Sequence, residues 1–359
     1  MHHLQRLLLI SCALAAHTVH AETLPRFPAG AVWNQDITLA TPHPDSATII
    51  STWAGLGGFG FGRMQIDFGM NVVHAPVGAP LRSIVGYPYD DYYSPDCEAV
   101  GSSMPVPANA AIEAGTGLSC DNENEDCHLL VVQGSTLYEA YHSTGSGSGG
   151  LEAQCLAKWD LNYVYTPQGR GDHCTSADAA GFPIAPLLIN ADEVFAATQV
   201  PNGTLGHAIR FILPNERMAR DDALGGVEGR LYVRPATHAG RPLGPVGTIP
   251  YGARLRLRGN FPMTNYPPAA QVILRTLQRY GMVLSDGGNI ALTAESDLYT
   301  THSWDELDIG SRVFDQTVGA TDVLPSDFTM IDTGPRIAET YDCVRTVIPT
   351  GVLHVDGFE

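Results

Sequence analysis

Short apolar runs separated by glycine and proline constrain the fold of this chain most strongly. The 359 residues include 38 glycines and 25 prolines. Short apolar runs between turn residues are typical of strands in β-sandwiches and barrels. Such runs lie at 128–133, 136–141, 159–165, 207–213, 229–235, 253–258 and 281–293. We therefore predict a mainly all-β fold, a sandwich or jelly roll, formed by a single domain at 22–342 and followed by a C-terminal tail at 343–359.

One segment has the period of a helix. Residues 267–281 begin with two prolines, end at Gly281 and place Val272, Ile273 and Leu277 on one stripe, as in an amphipathic helix packed on a sheet. The sequence Asp-Gly-Gly-Asn at 286–289 lies between two apolar runs and predicts a hairpin turn. The fold prediction is thus a β-sandwich or jelly roll with one packed helix.

The first 21 residues are typical of a secretory signal peptide. Arg6 precedes an apolar stretch at 7–16, and small residues at 19 and 21 form a cleavage pattern. No later stretch is long and apolar enough to predict a membrane span. The sequence therefore predicts a secreted or periplasmic protein.

The charge balance excludes some partners. The formal net charge is −18, and such a chain repels nucleic acids and anionic membrane surfaces. The sequence has no Walker loop, dinucleotide fingerprint or zinc-binding His-Glu-x-x-His motif. We predict neither a nucleic-acid partner nor a cofactor, and the oligomeric state is left open.

Six cysteines remain after the predicted signal peptide, and an even number in an exported chain predicts disulfide bonds. Short sequence spacing favours Cys120–Cys127 and Cys155–Cys174. These two pairs leave Cys97 to bond with Cys343.

The stretch 175–194 contains small residues, prolines and three acids, Asp178, Asp192 and Glu193. Pro183 and Pro186 restrict the backbone and argue against a helix. Apolar surface to bury is offered by Ile184, Leu187, Leu188 and Ile189. The stretch is therefore predicted to be a rigid wall of the main cleft, in which Asp178 is partly buried and bonded to backbone amides.

Parts of this region and of the segment that follows it resemble the sequences of other proteins. Ser176–Ile184, Asp192–Val194 and His207–Phe211 resemble segments of a group of exported β-rich bacterial proteins, with the pattern SADAAGxPI, then DEV, then HAxRF. The resemblance extends from about residue 27 to residue 310. His173 and Cys174 depart from it, because the group has Gly-Trp there. The resemblance implies a β-rich fold and no particular chemistry.

Glu139 is the leading catalytic candidate. Strand alternation places it on one face with Leu137 and Tyr141, and burial beside such residues raises the pKa of a carboxyl group, as a general acid requires. Asp192 or Glu193 is the predicted second carboxylate. Two acids about 5–10 Å apart would hydrolyse glycosidic bonds. The predicted function is therefore a glycoside hydrolase that acts on extracellular polysaccharide.

The predicted substrate-binding residues are Tyr141, Trp159, Asp178 and Arg210, since sugars stack on aromatic rings and bond to polar groups. Three rival functions stay open. A lyase acting on uronate polymers would use His207 as the catalytic base, with Arg210 and a tyrosine. A carboxylate-dyad peptidase and a non-catalytic carbohydrate-binding surface protein are the other two.

No metal ion is predicted, although two sites stay open. Three strand-borne histidines, His128, His207 and His238, would suit a transition metal. The acidic loop at 121–126 has oxygen ligands for Ca²⁺ but lacks the spacing of an EF-hand. The sequence leaves the role of the C-terminal Val-Asp-Gly-Phe-Glu undetermined.

Overall fold

A computed structural model describes residues 24–88, 91–120 and 126–346. The predicted signal peptide at 1–21 and the C-terminal Val-Asp-Gly-Phe-Glu at 355–359 lie outside the described residues. Of the predicted tail, residues 344 and 345 form a strand in the folded body. The assignment of 22–342 to a single domain stays a prediction.

The protein is mainly β, as predicted, because strands hold 24% of the chain and helices 16%. The strands are β1 (Ile66–Met70), β2 (Val72–His74), β3 (Leu81–Gly86), β4 (Ser103–Pro105), β5 (Leu129–Gln133), β6 (Thr136–Tyr141), β7 (Thr144–Gly145), β8 (Leu151–Ala153), β9 (Cys155–Asp160), β10 (Gly171–Asp172), β11 (Ile209–Leu213), β12 (Leu231–Tyr232), β13 (Arg254–Leu257), β14 (Met282–Gly287), β15 (Leu292–Glu295), β16 (Phe328–Met330), β17 (Ile337–Ala338) and β18 (Val344–Arg345). The α-helices are α1 (Ser46–Gly55), α2 (Ala191–Thr198), α3 (Pro268–Arg279) and α4 (Val313–Gln316).

A six-stranded sheet has the order β1-β15-β11-β14-β13-β16. Its pairing is mixed, because β1 is parallel to β15 and β11 is parallel to β14, whereas β13 is antiparallel to both of its neighbours. The predicted hairpin at 286–289 is wrong. Strand β11 lies between β14 and β15, so the turn at 286–289 connects two strands that are not adjacent in the sheet.

A four-stranded sheet has the order β2-β5-β6-β9 and is buried on both faces at β5. Leu130 and Val132 point into the main core, while Leu129 and Val131 point into a second core shared with the sheet β4-β3-β8-β7. Alternate side chains thus fill two cores, which explains the unbroken apolar run. Two short pairs, β10–β18 and β12–β17, complete the described sheets. We call the six-stranded sheet and the sheet β2-β5-β6-β9 the two larger sheets. Both have mixed pairing, which does not establish a sandwich or jelly roll.

The predicted helix is confirmed as α3, whose buried stripe includes Val272, Ile273 and Leu277. The prediction of a single helix is wrong, because α1, α2 and α4 are α-helices as well. Helix α3 packs against β13 and α2. Helix α2 was not predicted: it begins at Ala191, where the Asn190 side chain accepts a hydrogen bond from the Glu193 amide and caps the first turn. The last four residues of the 175–194 stretch are therefore helical. Within the described residues, no helix combines the length and the hydropathy needed to cross a membrane.

Three disulfides join the six cysteines, but only Cys120–Cys127 has the predicted partners. The other two bonds are Cys97–Cys155 and Cys174–Cys343, so the predicted pairs 155–174 and 97–343 are wrong. Cys155 begins β9 in the four-stranded sheet, where the loop before Cys97 also packs. Cys174 lies beside β10, which pairs with β18 next to Cys343. Strand pairing, and not short spacing, decides both bonds.

The 175–194 stretch connects the two larger sheets. Its backbone pairs with β14, where the Ala180 amide donates to the Ser285 carbonyl at 2.8 Å. Ile184, Leu187 and Leu188 are completely buried in the main core. The apolar residues of the stretch are thus buried, as predicted, and residues 175–179 lie at the surface of a cleft.

Candidate functional site

A cleft with a volume of about 570 Å³ opens between the two larger sheets. Of the stretch predicted to form a cleft wall, only residues 175–179 line the cleft, while most of the rest is buried in the main core. Asp286 at the end of β14 also lines the cleft. Tyr141 enters from the end of β6, and Tyr341 from the segment between β17 and β18. Four tyrosines and four aspartates contribute to the lining: Tyr92, Tyr93, Tyr141, Tyr341, Asp96, Asp126, Asp178 and Asp286.

Asp178 and Asp286 share one buried guanidinium group. Nη2 of Arg210 lies 2.8 Å from Oδ1 of Asp178 and 4.0 Å from Oδ2 of Asp286. Its Nη1 donates to the hydroxyl of Thr293 at 2.9 Å. Asp178 is buried and also accepts from the Ala180 amide. Arg210 therefore stands behind the cleft and stabilises the ionised form of Asp178.

Asp286 is the member of this pair that faces the cleft, with 23% of its side chain exposed. Oδ1 accepts from the Gly287 amide at 2.7 Å and Oδ2 from the Ala179 amide at 3.3 Å. Burial, followed by the negative charge of Asp178, raises the pKa of Asp286 to about 7. Burial also raises the pKa of Asp178, but Arg210 lies closer to Asp178, so Asp286 is the one of the two that more readily holds a proton.

A buried imidazolium lies under the cleft wall. His128 Nδ1 is 2.7 Å from the Glu113 carboxylate, and its Nε2 is 2.9 Å from the Ala177 carbonyl. Both partners are acceptors, so only the doubly protonated ring satisfies both. Burial alone would lower the pKa of His128, but the Glu113 carboxylate outweighs it and raises the pKa to about 9.

This imidazolium predicts a loss of stability in alkaline solution. The pKa of His128 rises from 6.5 to about 9 on folding, so its contribution is complete below pH 6.5 and disappears as the pH rises through 9. The shift corresponds to about 3 kcal/mol. Urea unfolding at several pH values, with His128→Gln as the reference, measures it. Because Glu113, Asp126 and Arg210 also act on this ring, only the difference between wild type and variant is assigned to His128. A difference that does not change between pH 6 and 9 would contradict the ionised ring.

Aromatic rings cover two sides of the cleft. Tyr93 and Tyr141 are stacked, with centroids 6.1 Å apart and planes at 18°. On another side Tyr341 is stacked on His238 at 5.3 Å and 20°, and the Arg230 guanidinium lies 5.3 Å from the Tyr341 ring. Such flat apolar faces suit the stacking of sugar rings.

A second cavity of about 420 Å³ adjoins the first. The two cavities share Asp126, Ala179, Gly240, Arg241 and Asp286. Asp286 thus lies at the junction of an aromatic cavity and a more polar one. A ligand with several connected units would extend to both sides of this carboxyl group.

Glu139 and Trp159 lie outside the cleft lining. Glu139 is completely buried, and its carboxylate accepts from Trp159 Nε1 at 2.9 Å and from the amides of Ile184 and Ala185 at 2.8 and 2.9 Å. Burial raises the pKa of Glu139 to about 7, although the three hydrogen-bond donors lower it. The predicted raised pKa is thus present, but the group anchors the 175–194 stretch to β6 and does not face the cleft.

The other predicted acids and bases also have partners away from the cleft. Asp192 accepts from the amides of Thr301 and His302 at 2.9 and 2.7 Å. Glu193 forms an ion pair with Arg26, and the buried His207 lies 3.9 Å from the same carboxylate. None of these groups is among the residues that line the cleft.

The structure brings two predicted residues, Tyr141 and Asp178, to the cleft itself, and Arg210 directly behind it. His207 and Arg210, which the lyase hypothesis joined, have separate partners. Of the three histidines proposed for a metal, only His238 lines the cleft. Among the described ranges, no group of three or more His, Cys, Asp and Glu residues has a geometry that would hold a metal ion. Residues 121–125 of the proposed calcium loop lie outside these ranges.

Asp286 was missed as a site residue, and Asp126 was considered only as one of the possible calcium ligands at 121–126. Asp286 belongs to the 286–289 segment, where the two following glycines indicated only a turn. The signal that would have found it is its position, because an acid at the end of a buried strand, before a flexible connection, is well placed to face a site. Comparisons with known protein families, curated proteins and solved structures found no match to this chain.

Proposed function

We propose that this protein is an exported enzyme that hydrolyses glycosidic bonds in polysaccharides, and that Asp286 is its proton donor. The observation that carries the proposal is a part-exposed carboxyl group with a pKa of about 7 at the junction of two cavities. A group of this kind holds a proton near neutral pH and gives it to a leaving group.

The surrounding residues support this chemistry. Asp286 would protonate the glycosidic oxygen as the bond to the sugar breaks. Asp126 lines both cavities, and its negative charge would stabilise the positive charge that develops on the sugar. Tyr93 and Tyr141 line the cleft as a stacked pair and would supply aromatic surface against which a sugar ring packs.

Export is supported by the disulfides. Three disulfides are typical of proteins from oxidising compartments, and the first 21 residues have the pattern of a signal peptide. We also propose that the protein is related to the exported β-rich bacterial proteins that it resembles, and that its larger sheets are arranged as a sandwich. The mainly β fold supports both parts of this proposal.

The test is a screen of the mature protein with xylan, mannan, β-glucan, chitosan and polygalacturonate, measured as new reducing ends. Asp286→Asn is expected to lower the rate roughly 10²–10⁴-fold, because the amide cannot donate the catalytic proton. Asp305→Asn is the matched control, because Asp305 is exposed and does not line the cleft. A hydrolysed polymer whose rate is unchanged in Asp286→Asn would contradict the assignment of the acid.

Elimination from a uronate polymer is the second candidate, and Arg241 favours it. This exposed arginine lines both cavities, where its charge would neutralise a uronate carboxylate. A lyase leaves an unsaturated product that absorbs ultraviolet light, whereas a hydrolase does not. The same screen of polygalacturonate therefore separates the two reactions.

The peptidase and binding hypotheses have less support. A carboxylate dyad needs its two acids to share a proton directly, but here Arg210 contacts Asp178 and lies near Asp286. Casein digestion at acid pH tests that hypothesis. A carbohydrate-binding surface protein would bind polymer without new reducing ends, and its affinity would survive Asp286→Asn.

A further inference from the structure

His238 has one ring nitrogen fixed, while the other has no hydrogen-bond partner among the described residues. Its Nδ1 lies 2.7 Å from the Ala179 carbonyl oxygen. A carbonyl oxygen only accepts, so Nδ1 carries the hydrogen, and in the neutral ring the lone pair is on Nε2. Nε2 makes no hydrogen bond to any residue in the described part of the chain. The ring therefore presents a proton acceptor at the cleft.

The orientation of this ring is held from a second side. Tyr341 is stacked on it at 5.3 Å, and Arg230 covers the Tyr341 ring. The adjoining Cys343 is bonded to Cys174, which directly precedes the cleft wall. Such support reduces the rotation of the imidazole, and a catalytic base needs a fixed direction of attack.

Ala179 holds the acid and the acceptor at once. Its amide donates to Oδ2 of Asp286 at 3.3 Å, and its carbonyl accepts from Nδ1 of His238 at 2.7 Å. The amide and the carbonyl of Ala179 thus position the proton donor Asp286 and the proton acceptor His238. General acid–base catalysis requires both groups within reach of the same substrate.

We propose that His238 is the general base of the cleft and activates the water that attacks the sugar. The assignment rests on the proposed glycoside hydrolysis. His238 Nε2 takes one proton from water while the water oxygen bonds to the anomeric carbon. The bond from that carbon to the glycosidic oxygen breaks, and this oxygen takes the proton of Asp286. Asp286 then carries the negative charge and His238 the positive one, and one proton transfer through solvent restores both groups.

Chemical rescue tests the role in turnover. His238→Ala is expected to lower the rate of the polymer hydrolysis found in the screen roughly 10²–10⁴-fold. Added imidazole is expected to restore it about tenfold or more, because the missing side chain leaves space at the cleft. His302→Ala is the control, since His302 bonds to Glu306 and stacks on Phe195 away from the cleft. An undiminished rate in His238→Ala would overturn the proposal, and so would a lost rate that imidazole does not restore in a folded variant.

The substitution of His238 by glutamine gives a readout that a structural role would not change. Glutamine keeps a flat polar side chain that would preserve the stacking on Tyr341, but it cannot take the proton of water. The rate of His238→Gln is therefore expected to stay as low as that of His238→Ala, while Asp286→Asn should lose the fall in rate at alkaline pH that deprotonation of Asp286 causes in the wild type. A rate close to that of wild type in His238→Gln would overturn the assignment.

A second test needs no substrate. Diethyl pyrocarbonate modifies unprotonated imidazole nitrogens, and peptide mass spectrometry locates the product. His238 is expected to react faster than His128, whose two ring nitrogens are both bonded, and faster than the fully buried His207. If His238 stays unmodified in the folded protein, its Nε2 is not an accessible proton acceptor, and the proposal is overturned. If wild type cleaves no polymer, the proposed function and the role in turnover fail together, while this labelling still decides whether Nε2 is accessible.

Discussion

Replacing Glu139 by glutamine is expected to lower the free energy of unfolding by about 3 kcal/mol. The carboxylate accepts two backbone amides on Oε1 and the Trp159 indole on Oε2. A glutamine amide has one acceptor oxygen and two hydrogens, so its nitrogen must face at least one of these donors. A buried donor then loses its partner, and so do the new amide hydrogens. Urea unfolding followed by tryptophan fluorescence measures the change.

The same substitution separates stability from chemistry. Glu139 does not line the cleft, so folded Glu139→Gln protein should retain the turnover of wild type per molecule, in contrast to the role predicted from the sequence. Glu152→Gln is the matched control, because Glu152 is a half-buried glutamate in β8 whose side chain makes no hydrogen bond to the described residues. The stability of this variant should equal that of wild type. A variant with full stability but no turnover would restore Glu139 as the catalytic acid.

Removing Cys174–Cys343 by a double serine substitution should have the largest effect on stability. The bond closes a loop with a sequence separation of 169 residues, and the chain-entropy relation assigns such a loop about 5 kcal/mol. The bond also ties the segment that carries Tyr341 to the wall at 175–179. We therefore expect a lower melting temperature together with weaker binding of polymer at the cleft.

Cys120–Cys127 provides the control for this experiment. Its sequence separation is only 7 residues, and the same relation gives about 2 kcal/mol. Calorimetry of the two double serine variants compares the losses directly. An equal decrease in stability would show that loop length does not govern these disulfides. Unchanged binding after loss of Cys174–Cys343 would show that the bond does not support the cleft.

Local patterns predicted the elements that depend on neighbours in the sequence. The stripe of Val272, Ile273 and Leu277 identified α3 within two residues of its ends, because a helix satisfies its own backbone. Helix α2 was missed, since the prolines before it hid the short segment that Asn190 caps. The apolar runs identified β5, β6, β11, β13, β14 and β15, but they missed β1 to β4, and they did not show how the strands pair. Nothing near 286–289 shows that β11, more than 70 residues earlier in the chain, lies between β14 and β15.

The prediction of the site was limited in the same way, because local patterns do not show which distant segments come into contact. Alternation along β6 correctly separated Leu137, Glu139 and Tyr141 from their neighbours, but residues on one face need not share one environment. Glu139 is covered by the amides of Ile184 and Ala185, while Tyr141 reaches the cleft at the end of the strand. Which of the two faces solvent depends on where the 175–194 stretch crosses β6.

By itself, the sequence determined a mainly β chain with an amphipathic helix, a cysteine content suited to disulfides and a buried stretch at 175–194. These properties follow from periodicity, composition and side-chain polarity, which act over a few residues. Only the tertiary structure decided which cysteines bond, and that Asp286 rather than Glu139 faces the cleft. Those outcomes depend on contacts between distant segments, because the pKa of a carboxyl group is set by the charges, donors and solvent that folding brings around it.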